Sequence, residues 1–385
     1  MTNQGLESGV MLVDIAYGFG GVETRVVDTA RGLRELGIDV EVACLAGSPV
    51  AAALTRVAVP TRPLARVKWD PRLILSLRRL LAERPGWVVD AHNAQSQMAV
   101  HVAATGLAGR FHHVATIHSE YRASERPLMS FSWHEAVLKR TIRAGWDLVP
   151  VSTSVRRNLL SLGAAPERIR LIWSGIGDDQ PRRIRAAIRE ELGLATHEFV
   201  VASVGRLVPV KNVALTVEAV VSMRGALPTV RLLVIGDGPE RAHLERLAAQ
   251  AEATDLVRFT GHRDDARDLL GASDALVITS TTEGLPYVLL EAAAAQVPVV
   301  TTPVGAIPDV FGDGAVVLLP PSLESRLDGA ALVAAELLSL AQDRDRRDRL
   351  VARASAIQKH HLSLESMLAS TLRAYSLSAD SARRT

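Results

Sequence analysis

Short apolar runs alternate along the chain with longer stretches in which apolar residues recur every third or fourth position. The first pattern is that of strands buried on both faces, and the second is that of helices packed on a sheet. In the first half, Val10–Ile15, Val40–Leu45, Trp87–Ala91, His113–Ile117, Leu148–Val151 and Ile169–Trp173 read as strands. Helices are predicted over Val22–Leu36, Pro71–Glu83, from Gln95 onward and over Trp133–Ala144, and Ser152-Thr153-Ser154 would cap another. Residues 46–70 read as irregular and Pro-rich, and Tyr121–Ser132 as a polar loop.

The turn-rich segment Ser174–Pro181 is the clearest boundary. After it the same rhythm restarts. Strands are expected at Phe199–Val204, Val230–Ile235, Val257–Thr260, Ala275–Ile278, Val297–Val300 and Ala315–Leu319. Helices are expected at Val213–Met223, up to Ala251, after Pro286, and twice between Ser325 and His360. Strands alternating with helices in both halves predict an α/β protein of two doubly wound, Rossmann-like domains, 1–177 and 178–359. A last helix, Leu362–Leu377, places Leu364, Met367, Leu368, Leu372 and Tyr375 on one side and could cap either domain.

Composition narrows the class. The length of 385 residues fits two domains, and 48% hydrophobic with 4% aromatic residues fits aliphatic α/β layers. Cys44 is alone, so neither a disulfide framework nor a Cys-based metal site is expected. The start, MTNQGLESG, lacks a basic-plus-apolar signal, and no apolar run is long enough to span a bilayer, so a cytoplasmic protein is expected. A net charge of +2 is too small to imply a nucleic-acid partner. The Pro71–Glu83 helix is basic and amphipathic; it either packs on its sheet or lies on the inner membrane surface as a peripheral contact of the first domain.

Candidate chemistry gathers at strand ends, where open α/β sheets bind ligands. After the first strand come Gly18, Gly20 and Gly21, but Glu23 replaces the third glycine of a G-x-G-x-x-G turn, which weakens a nicotinamide-cofactor reading. His92 and His118 end two strands of the same half. In the second half, Gly205, Arg206 and Lys211 bridge a strand and a helix. A cation pair at a helix start, with glycine where backbone must come close, suits a phosphate or diphosphate. Gly236, His262 and Arg263 follow the next two strands.

The stretch TSTTEGLPYVLLEAAAAQVPVVTTPV, from Thr279 to Val304, carries Glu283, then Gly284, Leu285, Pro286, Tyr287 and Val288, then Glu291. Pro286 suits a first helical turn, leaving the Tyr287 and Val288 amides for an anion. Eight residues of helix would separate the two glutamates by about 12 Å. Paired hydrolytic carboxylates sit within roughly 5–9.5 Å. The two therefore read better as grips on two ends of one long ligand.

Together, Gly20-Gly21-Val22-Glu23 with LRELGIDVEV, GRLVPVKN, IGDGPERAHLERL, VRFTGH and EGLPYVLLEA with PVVTTPVG resemble the retaining glycosyltransferases of family 4, from about residue 10 to 340. The resemblance implies the GT-B arrangement, two Rossmann-like domains facing a central cleft with the acceptor on the first and the donor on the second. It implies sugar transfer from a nucleotide diphosphate sugar (a UDP-sugar first, a GDP-sugar second) to an acceptor hydroxyl of unknown identity, without a metal. On it, Arg206 and Lys211 hold the diphosphate, Glu283 the sugar, Glu291 the ribose, and His118 the sugar or acceptor. Gly20 and Gly21 close over the phosphates, and residues 360–385 cross back to the first domain. Loops 46–70 and 119–132 would choose the acceptor. Ser174-Gly175 stands where the family often has Asn-Gly, and Tyr287 is a bulky choice after E-G-L-P. A nucleotide-sugar 2-epimerase of the same fold, or a protein that binds nucleotide-sugars without turnover, would share most of these motifs.

Overall fold

A computed structural model describes residues 9–107, 111–119, 128–177, 183–321 and 326–383. Among these the chain divides into two compact units, Met1–Gly175 with Leu364–Thr385, and Ile176–Ser363.

The first unit runs β1 (Val10–Asp14), α1 (Gly21–Glu35), β2 (Val40–Cys44), α2 (Pro49–Arg56), β3 (Thr61–Pro63), α3 (Arg72–Ala82), β4 (Val88–Ala91), α4 (Ala94–Ala103), β5 (His112–Ile117), α5 (Leu128–Arg143), β6 (Asp147–Pro150) and α6 (Thr153–Ser161). Its strands form one parallel sheet in the order β3-β2-β1-β4-β5-β6. The order reverses between β1 and β4, so the loops after these two strands diverge and leave a crevice.

Two sequence expectations fail here for local reasons. Residues 46–70 are not irregular, because Ser48 caps α2 by accepting the Ala51 N–H at 3.3 Å, with Pro49 at the first helical position. Ile169–Trp173 is not a strand. It leans on β6 through Arg170 and Ile172 N–H donors, but the Ile172 carbonyl is taken by the buried Arg25 guanidinium at 3.2 Å instead of a ladder partner. The leucine stripe of α3 (Leu73, Leu77, Leu81) is at most 3% exposed. That face belongs to the domain's own core, as the sheet-packing alternative expects. Part of the Tyr121–Ser132 loop, residues 121–127, lies outside the described residues.

The second unit runs α7 (Arg185–Glu191), β7 (Phe199–Val204), α8 (Val213–Ser222), β8 (Val230–Ile235), α9 (Arg241–Gln250), β9 (Val257–Gly261), α10 (Ala266–Gly271), β10 (Ala275–Ile278), α11 (Tyr287–Ala294), β11 (Val299–Thr301), α12 (Ile307–Phe311), β12 (Val317–Leu318), α13 (Arg326–Gln342) and α14 (Arg344–His361). Its parallel sheet has the order β12-β11-β10-β7-β8-β9, reversing between β10 and β7. This is the same topology as the first sheet, read in the opposite direction. No described helix is long and apolar enough to cross a membrane.

A final helix, α15 (Leu364–Arg383), rejoins the first unit. Met367, Leu368, Ala374 and Tyr375 bury themselves against Val26, Val27, Ala30 and Leu33 of α1 and the sheet beneath. Gly32 makes this approach feasible, since a Cβ there would lie 2.2 Å from Leu368 Cδ1.

At the first reversal point Asp14 is fully buried. Its Oδ1 accepts from Asn93 at 2.6 Å, and its Oδ2 has no hydrogen-bond partner. Burial, with Glu23 nearby, pushes its carboxyl up to about 7 against the opposing pull of Lys68 and Asn93. A carboxyl raised from 3.8 binds a proton on folding throughout that interval, so its contribution is complete below about pH 4 and is lost as pH rises through 7. Asp14→Asn cannot ionise and keeps the acceptor for Asn93. Relative to wild type it is expected to gain up to about 4 kcal/mol at pH 8 and nothing near pH 4, at about 1.4 kcal/mol per pH unit. Urea midpoints at the two pH values measure this, and a pH-independent difference would refute it.

Candidate functional site

The second reversal point brings together the loops after β7 and β10. Past Val204 the chain turns through Gly205 (φ +144), the Gly205 N–H bonding the Ile235 carbonyl at 2.9 Å. The loop after β8 then closes on it. Gly236 (φ +138) sits where a Cβ would lie 1.9 Å from the Gly205 carbonyl oxygen, and Leu207 exchanges backbone bonds with Asp237 and Glu240. Glycine at 236 is thus a condition of this loop-on-loop packing.

The segment continues as a single 3₁₀ turn, Pro209–Lys211, and Asn212 enters α8 in the left-handed region (φ +48). Threonines stitch it to the β10 side. Thr279 Oγ1 donates to the Asn212 carbonyl at 2.9 Å, and the Thr281 N–H donates to the Val210 carbonyl at 2.9 Å.

These stitches set Lys211 against Glu283. The Lys211 ammonium donates to Glu283 Oε1, and Ser280 Oγ donates to the same oxygen at 2.7 Å. The pair is mostly enclosed, with the lysine side chain 24% and the glutamate 11% exposed. Arg206 is exposed, and its guanidinium makes no hydrogen bond or ion pair among the described residues. Gly205, Arg206, Lys211, Ser280, Glu283 and Val288 line one small cavity. A larger cavity of about 220 Å³ beside α9, lined by Val208, Pro209, Asn212 and His243 among others, holds none of the predicted site residues.

The entry to α11 differs in one detail from expectation. Pro286 is the residue before the helix, with extended ψ (125°), and not its first turn; its carbonyl accepts the Leu289 N–H at 3.0 Å. The backbone ahead of it is fixed by Gly305 (φ +61), whose Cβ would lie 2.2 Å from the Gly284 oxygen and 2.4 Å from the Glu283 oxygen. Leu285 and Tyr287 are buried. Glu291, one turn along α11, faces Arg267 of α10 at 3.4 Å. Gln296 closes the helix in the left-handed region (φ +59).

Two other predicted residues are placed less favourably. His262 is 69% exposed and lies 3.7 Å from Asp264. Arg263 is already shared between Asp265 (2.7 Å) and Glu191 (3.0 Å), whose hydrogen bonds hold its guanidinium well above the ordinary range of protonation.

In the first unit, Gly20 is extended and precedes α1, and a Cβ there would meet only Glu23 at 3.6 Å; one at Gly18 would meet nothing within 4 Å. The fold therefore leaves open space over this turn, at the N-terminus of α1 that begins with Gly21. His118 leaves β5 half-buried, and His92 leaves β4 fully buried. Their Nε2 and Nδ1 atoms are 3.1 Å apart. Sequence reasoning noted both histidines but missed Asp90, a buried carboxylate inside an apolar strand, and the distant Tyr375 that bonds it at 2.7 Å. A carboxylate in such a strand is itself a signal, since it is retained only when partnered. Among the described residues no three His, Cys, Asp or Glu side chains gather as a metal site would require.

Residues 19–180 match the family described as Glycosyltransferase Family 4, and residues 184–355 the one described as Glycosyl transferases group 1. The N-acetyl-alpha-D-glucosaminyl L-malate synthase of Bacillus anthracis is 30% identical over 46% of this chain and 48% of its own. The D-inositol 3-phosphate glycosyltransferase of Nocardia farcinica is 33% identical over 57% of this chain and 50% of its own. The chain thus spans about half the length of these two relatives. Among solved structures, Anabaena HepE in complex with UDP and glucose superposes with a TM-score of 0.82 at 18% identity, covering 95% of this chain and 99% of that one. WaaG, a glycosyltransferase involved in lipopolysaccharide biosynthesis, gives 0.71 at 18% identity, covering 97% and 99%.

Proposed function

Because the chain belongs to the family 4 glycosyltransferases and has their GT-B fold, we propose that it moves a sugar from a nucleotide diphosphate sugar to an acceptor hydroxyl with retention at the anomeric carbon. The observation that carries this reading is the Lys211–Glu283 pair at the sheet's reversal point, beside the exposed Arg206. Nucleotide ligands of doubly wound sheets sit at such points.

In this reading Arg206 and Lys211 receive the diphosphate. As the bond from the anomeric carbon to the leaving phosphate breaks, both cations stabilise the charge that collects there. That charge stabilisation comes from the chain's own side chains, so the proposal needs no metal. Glu283, sharing Lys211 with the phosphate, takes a sugar hydroxyl, and Glu291 takes the ribose. The acceptor oxygen bonds to the anomeric carbon from the face the phosphate leaves, and its proton passes to that phosphate. A uridine nucleotide is favoured, since the similarly folded HepE is solved with UDP and with UDP-glucose.

Thermal unfolding in a panel of UDP-glucose, UDP-N-acetylglucosamine, GDP-mannose and the free diphosphates tests the donor. A cognate ligand at a hundredfold its Kd adds about 2.7 kcal/mol of stability. Protection by a UDP-sugar and by UDP is the expected result. Protection by none of the panel would remove the nucleotide-sugar reading.

A further inference from the structure

Four polar side chains of the first unit, Tyr375, Asp90, Thr116 and His92, lie in a row beneath His118. Tyr375 on α15 donates its hydroxyl proton to Asp90 Oδ2 at 2.7 Å. Asp90 on β4 also accepts from Thr116 Oγ1 at 2.7 Å and from the Thr116 N–H at 3.0 Å. Three donors on two oxygens are what an ionised carboxylate accepts. Asp90 Oδ2 lies 3.4 Å from His92 Nε2, and His92 Nδ1 lies 3.1 Å from His118 Nε2. Asp90, His92 and Tyr375 are each at most 2% exposed, whereas His118 is half-buried at the strand end. Among the described residues, the further charged group acting on the cluster is Arg25 of α1, buried at 2% and bonded to the Ile172 carbonyl and Ser174 Oγ.

The proton positions follow from which arrangement avoids a lone pair facing a lone pair. His92 Nε2 makes no hydrogen bond, but it lies 3.4 Å from a carboxylate oxygen, so a lone pair there would sit beside negative charge. With the proton on Nε2, the ring instead directs positive charge at Asp90. The neutral His92 ring then has its lone pair on Nδ1, and the short contact to His118 requires that His118 supply the hydrogen from Nε2. His118 is then left with a lone pair on Nδ1.

We infer that Asp90, His92 and Tyr375 are positioning residues that fix His118 as a neutral imidazole protonated on Nε2, so that it presents Nδ1 as a hydrogen-bond acceptor. Such a group suits a hydroxyl donor, as on an uncharged sugar, and offers nothing to a phosphate or carboxylate. The inference rests on the proposed reading and adds to it His118, which the family resemblance places at the sugar or acceptor. Burial supports it by pushing both histidines away from the charged form, with each other and Arg25 adding to the effect on His118. The phenol of Tyr375 is likewise driven up by burial and by Asp90, so it remains a donor.

The test needs no substrate. In the full-length protein labelled with ¹⁵N-histidine, long-range proton–nitrogen spectra report which ring nitrogen of His92 and His118 carries hydrogen. Both rings are expected to be neutral and Nε2-protonated at pH 7, and the His118 Nε2–H is expected to exchange slowly enough to be seen directly. His92→Asn, whose side-chain oxygen can replace Nδ1 as acceptor, is expected to keep that signal, and His92→Phe to lose it. An Nδ1-protonated form of either ring, a charged His118 at pH 7, or a His118 signal that survives in His92→Phe would overturn the inference. Failure of the sugar role reads out separately. Wild-type turnover of His118→Ala would remove His118 from the reaction, whereas only the spectra decide how its proton is held.

Discussion

Lys211→Ala is expected to lower the rate of donor consumption about 10²- to 10³-fold, the loss that follows removal of one preorganised charge aimed at a developing anion, roughly 2.7–4 kcal/mol. The fold will lose less. Glu283 keeps Ser280 as a partner and is 11% exposed, so stranding it costs about 1–3 kcal/mol. The two effects separate in a double variant. Lys211→Ala with Glu283→Gln removes the stranded charge and should recover most of the stability but none of the rate. Steady-state kinetics and urea midpoints of the single and double variants provide both readings. Turnover of Lys211→Ala within about threefold of wild type would end the diphosphate assignment, whatever its stability.

The second large effect is expected at Gly236, through the backbone and not through charge. A Cβ there would lie 1.9 Å from the Gly205 carbonyl oxygen, at a residue whose φ of +138 already excludes most side chains. Neither neighbour can give way cheaply, since both are main chain tied into β7 and β8. Gly236→Ala should therefore cost about 2–4 kcal/mol, in the range of strained or overpacked backbone, and should move Arg206 out of register with Lys211. Gly225→Ala is the control in the same unit, as a Cβ there meets nothing within 4 Å. Equal denaturation midpoints for the two variants would show that the loops separate without penalty and that the packing argument is wrong.

Much of this was legible in the sequence because α/β sheets write themselves plainly. The apolar runs at Val10, Val40, Phe199, Val230 and Ala275 are each a strand within a residue or two, since a strand buried on both faces reads as a mostly apolar run bounded by turn residues. The cation loop and the E-x7-E stretch were legible because glycine and proline mark where loops must bend. What escaped was information that sequence separation hides. Short helices such as α2, α7 and α10 carry too few turns for a period to emerge, although Ser48-Pro49 was a readable start signal. The pairing of Lys211 with Glu283 depends on β7 and β10 being neighbours, which the order of strands in the chain does not reveal. Tyr375 looked like one more apolar position on a terminal helix. Its hydroxyl has a role only because α15 comes to rest against a carboxylate 285 positions earlier.

That return of α15 has a consequence for the order of events during synthesis. The second unit is one continuous segment, Ile176–Ser363, and its residues are all available before α15 is made. The first unit is not complete until α15 arrives to cover Val26, Leu33 and Asp90. Chains generally acquire structure from the amino end as they emerge from the ribosome. Here the half that emerges first must wait, with an uncovered apolar face, and becomes the last to close.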